Sequence, residues 1–299
     1  MIVATQRSVL ELSGKNPELY IEDEAILGIA TNGNLRAILT NTKLTVFDGP
    51  TAIVEIAPPK GAESMDILDD LTVLIGTEGP HIYRWSEKDL SRIESFESLE
   101  CREDFYTPWG GPATVRSFAH TPDGSVYADI HVGSIMHSSD RGQTWEPVTP
   151  DLHEDVHQVA THPELPNMIY ANTANAVYVS EDRGKSWSHK AKGFPYRYGR
   201  AIAVDPEDAD CIMATISRGP HANVGGRLYR SDDQGNSWEH VTKGFPKETS
   251  SNIDTFQIAF SDDGRAWAAV NHNLYVSSDR GESWSVYWTA EDPIKMIAS

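Results

Sequence analysis

The side chains able to move protons in this 299-residue chain are led by His157, paired with Asp155 or Glu78 and assisted by Tyr198. An imidazole beside a carboxylate can take and return a proton near neutral pH, so these residues form a candidate general acid/base set. Arg116, Arg200 and Lys295 supply fixed positive charge. A guanidinium grips a carboxylate, phosphate or sulfate through parallel N–H donors, so an anionic ligand is the first expectation. Asp129 and His131 stand two apart in a strand-like run and therefore point to the same side. The imidazoles of His131, His157 and His221, with Asp129 or Glu78 as an oxygen donor, could instead hold a divalent metal. That is the weaker expectation, and no other cofactor is expected.

Residues so far apart in sequence need a repeating framework to meet. SSDRGQTW (138–145), SEDRGKSW (180–187), SDDQGNSW (231–238) and SSDRGESW (277–284) share the pattern Ser-x-Asp-x-Gly-x-(Ser/Thr)-Trp. Their aspartates, Asp140, Asp182, Asp233 and Asp279, are separated by 42, 51 and 46 residues, a period typical of repeat architectures. Each box follows a short β-type run: SIMHS, AVYVS, RLYRS or NLYVS. Asp can accept hydrogen bonds from the amides that follow it, and Gly can take a positive φ without a steric cost. Trp145, Trp187, Trp238 and Trp284 then bury a large ring beside each hairpin. The boxes are therefore read as structural staples.

The pattern resembles the Asp-box, or BNR, repeat of β-propellers, found in sialidases, sortilin-like receptors, photosystem II assembly propellers and stand-alone WD40/YVTN/BNR-like repeat proteins. The resemblance implies a propeller fold with the boxes on the turns between third and fourth strands, away from the ligand face. It implies no particular reaction. Sialidases carry an Arg-Ile-Pro motif and an arginine triad. This chain has no Arg-Ile-Pro, and only Arg7 and Arg36 precede Arg84, so the triad has no match. The likeness is greatest to the stand-alone proteins, over Tyr106 to Pro206.

Around the boxes, four-strand units can be read as blades 3 to 6. Residues 25–58 give a blade without a box, and residues 65–99 a second, with HIYRWSEKDL and RIESFESL as its last two strands. The C-terminal IKMIAS supplies an innermost strand to MIVATQ, SVLELSG and LYIEDE. Sharing a blade between the two termini closes the ring and removes sheet edges. The expected fold is all-β, a single domain over residues 1–299, and a seven-bladed propeller of about 43 residues per blade, with six blades as the alternative.

Superimposing the innermost strands on a small residue (Ala30, Leu68, Ala119, Ala160, Ala203, Ala259, Ala298) places Leu27, Met65, Arg116, His157, Arg200, Phe256 and Lys295 around one mouth of the channel. Loops on the same side carry Glu78, His81, Trp109, His131, Arg218, His221 and His272, and the Gly-rich insertion at 217–227 is expected to act as a mobile flap. Basic residues gathered at a concave mouth would focus field on an anion in a chain of net charge −19.

That net charge also argues against nucleic-acid or anionic-membrane partners, both of which require a basic footprint. The two cysteines, Cys101 and Cys211, are too few for a disulfide framework, and MIVATQRSVLELSG lacks the continuous apolar run of a secretory signal, so a cytoplasmic location is expected. The function expected is small-molecule binding at the mouth, with acid/base chemistry (hydrolase, lyase or cyclase) on an anionic or polyhydroxylated compound. A non-catalytic scaffold for a protein partner is the alternative.

Overall fold

The computed structural model describes residues 1–14, 17–22, 25–148, 150–221 and 223–299. Seven four-stranded antiparallel sheets are arranged as blades around a central axis. The blade shared by the termini forms as expected: Met296–Ala298 pairs with Ile2–Ala4, followed outward by Ser8–Glu11 and Glu18–Glu22. Asp23 and Glu24, the last two residues of LYIEDE, lie outside the described residues. Among the described residues no helix is long and apolar enough to cross a membrane.

Blades stack face to face, so their middle strands are covered on both sides and read as unbroken apolar runs. Val73–Thr77, Ile169–Thr173, Ala176–Ser180 and Ala266–Val270 are buried at every position. The outermost strands face solvent and alternate or turn polar, as in Thr51–Ile56 and Ser188–Lys190.

Each box is built around its carboxylate. Asp140 accepts hydrogen bonds from Ser138 Oγ (2.8 Å), the amides of Gln143 (3.0 Å) and Thr144 (2.8 Å), and Thr144 Oγ1 (2.6 Å). Asp182, Asp233 and Asp279 repeat the pattern with Ser186, Ser237 and Ser283. With these donors spent inside the turn, the box aspartates are occupied by structure. Arg141, Arg183 and Arg280, the residues after three of them, have a positive φ and reach back to the preceding blade. Their partners are Asp70 (3.1 Å), Asp123 (2.8 Å) and Asp208 (2.8 Å) respectively.

The box tryptophans lock onto the chain leaving the previous blade. Trp238 stacks on Phe194 at 4.9 Å, Trp284 packs on Phe245 at 5.3 Å, and Trp145 meets Phe96 edge-on at 6.2 Å. This explains the one blade whose outer strand differs from expectation. In blade 2 the fourth strand is Asp89–Arg92, and RIESFESL instead begins a short helix, Glu94–Glu97, that delivers Phe96 fully buried against Trp145. Gly244, at φ +75°, lies so close to Trp284 that an added Cβ would stand 1.9 Å from its carbonyl oxygen.

Candidate functional site

The innermost strands of blades 1 to 5 each carry a bulge near their first residue, at Leu27, Glu63, Arg116, His157 and around Arg200. A bulge inserts an unpaired residue and re-aims its side chain. Of the seven mouth positions read from sequence, Leu27, Arg116, Phe256 and Lys295 line a common cavity, whereas His157 is fully buried and Arg200 stands behind Asp254. Blade 2 is corrected: it presents Glu63, while Met65 is buried against Gly28 in the core. Blade 2 has Asp66 where the six other blades have alanine, so aligning on a small residue slipped by two.

Leu27, Glu63, Arg116, Phe256 and Lys295 line one cavity of about 510 Å³ at this end of the axis, together with Asp254 and Asn271. Asp254, at the approach to blade 6, stands 3.5 Å from Arg200 and 3.9 Å from Arg116. These contacts leave Arg116 Nη1 and Arg200 Nε without hydrogen-bond partners, although both atoms are buried. Burial, then the neighbouring charge of Glu78, raises the Glu63 carboxyl above its ordinary value against the opposing pull of Arg116. The cup therefore holds two carboxylates, from blades on opposite sides of the axis, in unlike surroundings.

From Arg200 an arc of rings runs outward across blades 5, 4 and 3. The Arg200 guanidinium lies over Tyr198 at 5.1 Å, and Tyr198 is 5.0 Å from His157. His157 is 5.4 Å from His131, which is 5.2 Å from Trp109. Trp109 is 64% exposed and Tyr106 49%, so the arc ends in an open aromatic platform. Burial raises the Tyr198 phenol above its usual range, which keeps it a proton donor at neutral pH. His157 is fully buried, and that burial lowers it to about 4 despite Asp155, so the ring is neutral at pH 7. Its Nδ1 donates to the Gly199 carbonyl at 2.5 Å.

Asp155 serves two histidines. Its Oδ1 is 3.2 Å from His157 Nε2 and 3.3 Å from His131 Nε2. Its amide donates to His153 Nδ1 at 3.2 Å, which fixes the loop. His153 and His157 are four apart, a spacing that sets two rings side by side on a helix, but here it runs from a loop into the strand Val156–Thr161.

Several expected members stand elsewhere. Asp129 is fully buried and bonded to the Ser117 amide (3.1 Å) and Oγ (2.7 Å). Ser117 Oγ in turn accepts from the Val159 amide of the next blade at 3.1 Å. Asn172 and Thr215 make similar links onward, to the carbonyls of Ala201 (2.7 Å) and Ile253 (2.8 Å), so Asp129 belongs to a buried polar belt beneath the mouth. Burial pushes its carboxyl up to about 7. Glu78 is exposed, its amide bonded to Gly61 and its charge acting on Glu63. His81 is held by Glu97 at 2.8 Å.

Arg218 pairs with Glu248 at 2.7 Å and lies over Tyr196, outside the cup. The insertion that carries it is pinned: Arg218 N bonds Val224 O, Val224 N bonds Ser250 O, and Gly226 pairs with Thr249. Ala222 lies outside the described residues. His221 is exposed and not part of the metal-capable group of described residues, which is His131, Asp155 and His157. His272 bonds the Ala290 carbonyl at 3.3 Å, while its neighbour Asn271 reaches the cavity. Sequence reasoning missed Glu63 and Asp254 as cavity residues and took Asp155 only as a partner of His157.

The mouth is a charged cup, and the exposed Leu19, Ile53, Leu165 and Val286 belong to four different blades instead of forming one apolar face. Fold and site together define a seven-bladed β-propeller with a carboxylate-bearing cup at one end of its axis. The family model described as "Sortilin, neurotensin receptor 3" matches residues 133–224. A probable oligoxyloglucan-reducing end-specific xyloglucanase of Neosartorya fischeri is 25% identical over 184 residues, which cover 53% of this chain and 22% of that enzyme. Among solved structures, the GH74 enzyme of Niastella koreensis superimposes with a TM-score of 0.74 at 12% identity, covering 96% of this chain and 52% of that one. YCF48 from Cyanidioschyzon merolae gives 0.62 at 15% identity, covering 89% and 86%. These likenesses establish the fold. The chain spans about a fifth of the length of the fungal relative and half that of the Niastella structure.

Proposed function

We propose that this propeller is a hydrolase that takes an oligosaccharide into the mouth of its channel. One observation carries the reading: Glu63 and Asp254 face a common open cavity from opposite sides of the ring, Glu63 with its carboxyl raised above the ordinary value and Asp254 ion-paired with Arg200 and Arg116. Glycoside hydrolysis needs such a pair, one carboxyl to protonate the leaving oxygen and one carboxylate to activate water or attack. Glu63, its carboxyl raised by partial desolvation while the side chain stays open to the cup, is the acid. Asp254, beside two guanidiniums, is the carboxylate.

Trp109 and Tyr106 supply flat apolar faces on which a sugar ring can stack, with polar tips for its hydroxyls. The Arg116 guanidinium and the Lys295 ammonium, which line the cavity, would hold hydroxyl oxygens, or the carboxylate of an acidic sugar. The distant relation to a xyloglucanase supports a polyhydroxylated substrate.

The test is a reducing-end assay on neutral xyloglucan oligosaccharides and on uronate-bearing ones, with calorimetry on the same compounds. We expect turnover of one class, lost in Glu63→Gln and Asp254→Asn while binding persists. Binding and turnover of neither class, or turnover undiminished in both variants, would overturn the proposal.

A further inference from the structure

His157 is fully buried, yet its Nε2 has no hydrogen-bond partner, and neither does the buried Oδ1 of Asp155 that it faces at 3.2 Å. Two buried polar atoms this close normally share a well-aligned proton, because a buried polar atom left unpaired loses the hydrogen bonds it made to water. His157 Nδ1 faces a carbonyl, which can only accept, so Nδ1 donates there and Nε2 is the ring nitrogen turned toward Asp155. His131 Nε2 approaches the same oxygen at 3.3 Å from the neighbouring blade. All three donor atoms lie within 4.8 Å of one another.

From this geometry we infer that His131, Asp155 and His157 form a three-ligand site for a divalent transition ion. Donors bound to zinc at about 2.0–2.1 Å and near the tetrahedral angle lie roughly 3.3–3.4 Å apart. The two observed separations match two edges of that tetrahedron. Two imidazoles and one carboxylate suit zinc or iron(II) and leave coordination positions unfilled, the pattern of sites that bind water or substrate. The Gly199 carbonyl orients the His157 ring, and the His153 ring holds the backbone of Asp155. Tyr198 and Trp109 flank the two imidazoles, so an ion here would sit between the cup and the aromatic platform. The inference stands apart from the proposed hydrolysis, since neither Glu63 nor Asp254 is a ligand.

The test uses the whole protein stripped with chelator, titrated with Zn²⁺ by calorimetry, with thermal melts alongside. We expect one equivalent to bind, the melting temperature to rise, and affinity to fall at least tenfold in Asp155→Asn and His131→Gln. His131 is half-buried at the rim, so His131→Gln keeps the test valid if Asp155→Asn does not fold. Absence of saturable Zn²⁺ binding, or equal binding by the folded variants, would sink the inference. Because the readout is the metal alone, failure of the saccharide reading leaves this result intact, and the reverse also holds.

Discussion

Asp254 stands 3.5 Å from Arg200 and borders the same cavity as Glu63, although it enters the ring in blade 6 and Glu63 in blade 2. It is about half exposed, whereas Arg200 is only 13% exposed, so the buried cation positions an accessible carboxylate. An ion pair of this kind contributes little to stability, since solvent screens its open side. Its value is to fix where negative charge meets the ligand.

Replacing Arg200 with Gln should therefore affect binding more than folding. We expect oligosaccharide affinity to fall about tenfold, or about 1.4 kcal/mol. The melting temperature should stay within a few degrees of the native value. Calorimetry and a thermal melt on the same sample check both halves, and an unfolded variant would show Arg200 to be structural.

The raised Glu63 carboxyl sets a pH dependence. A general acid works only when protonated, so turnover should decline as pH climbs through its raised value. A rate–pH profile should show this limb in the native protein and lose it in Glu63→Gln. A profile with no decline on the alkaline side would remove Glu63 from the acid role.

The platform makes a separate prediction. Trp109→Ala should raise KM or Kd for the oligosaccharide by roughly tenfold, the order of one lost ring contact. It should leave the melting temperature unchanged, because the side chain is 64% exposed.

Gly244 tests the blade-to-blade lock. Gly244→Ala places a Cβ against the Trp284 carbonyl at a positive φ, so the loop must move and the Phe245–Trp284 contact loosens. The expected loss is about 2–4 kcal/mol, read by denaturant unfolding. A neutral result would mean the loop shifts freely and the lock is weak.

His120 and Asp66 join blades 3 and 2 through a 2.7 Å contact, and the Asp66 charge raises His120 above its ordinary value against the effect of burial. A raised histidine adds stability that is fully present below about pH 6.5, the unfolded value, and is lost as pH rises through the folded one. Melts from pH 5 to 8.5 should show the difference between native protein and His120→Gln shrinking with pH. A constant difference would show that the pair does not titrate.

Sequence by itself determined the ring. Four Ser-x-Asp-x-Gly-x-(Ser/Thr)-Trp boxes are local devices, whose bonds run within five residues of the aspartate, so their chemistry is complete on one short stretch. Their spacing, with the leftover strands at both ends, also specified seven blades and the closure by Met296–Ala298. The same periodicity brought Arg116 and Lys295 to one cavity, because a repeat places equivalent positions on one circle.

Tertiary structure alone decided what those positions do. The Glu63 register depends on a bulge and on Asp66, which binds His120 of another blade, so no small residue marked the strand. Asp129 points inward because Ser117, on the adjacent strand, donates to its carboxylate and accepts in turn from Val159 of the next blade, a demand absent from its own strand. Asp155 lies near His157 in sequence, but its sharing with His131 arises only where two blades abut. Local turns are written in adjacent residues, whereas side-chain partners across blades depend on distances that the chain sets only when the ring has closed.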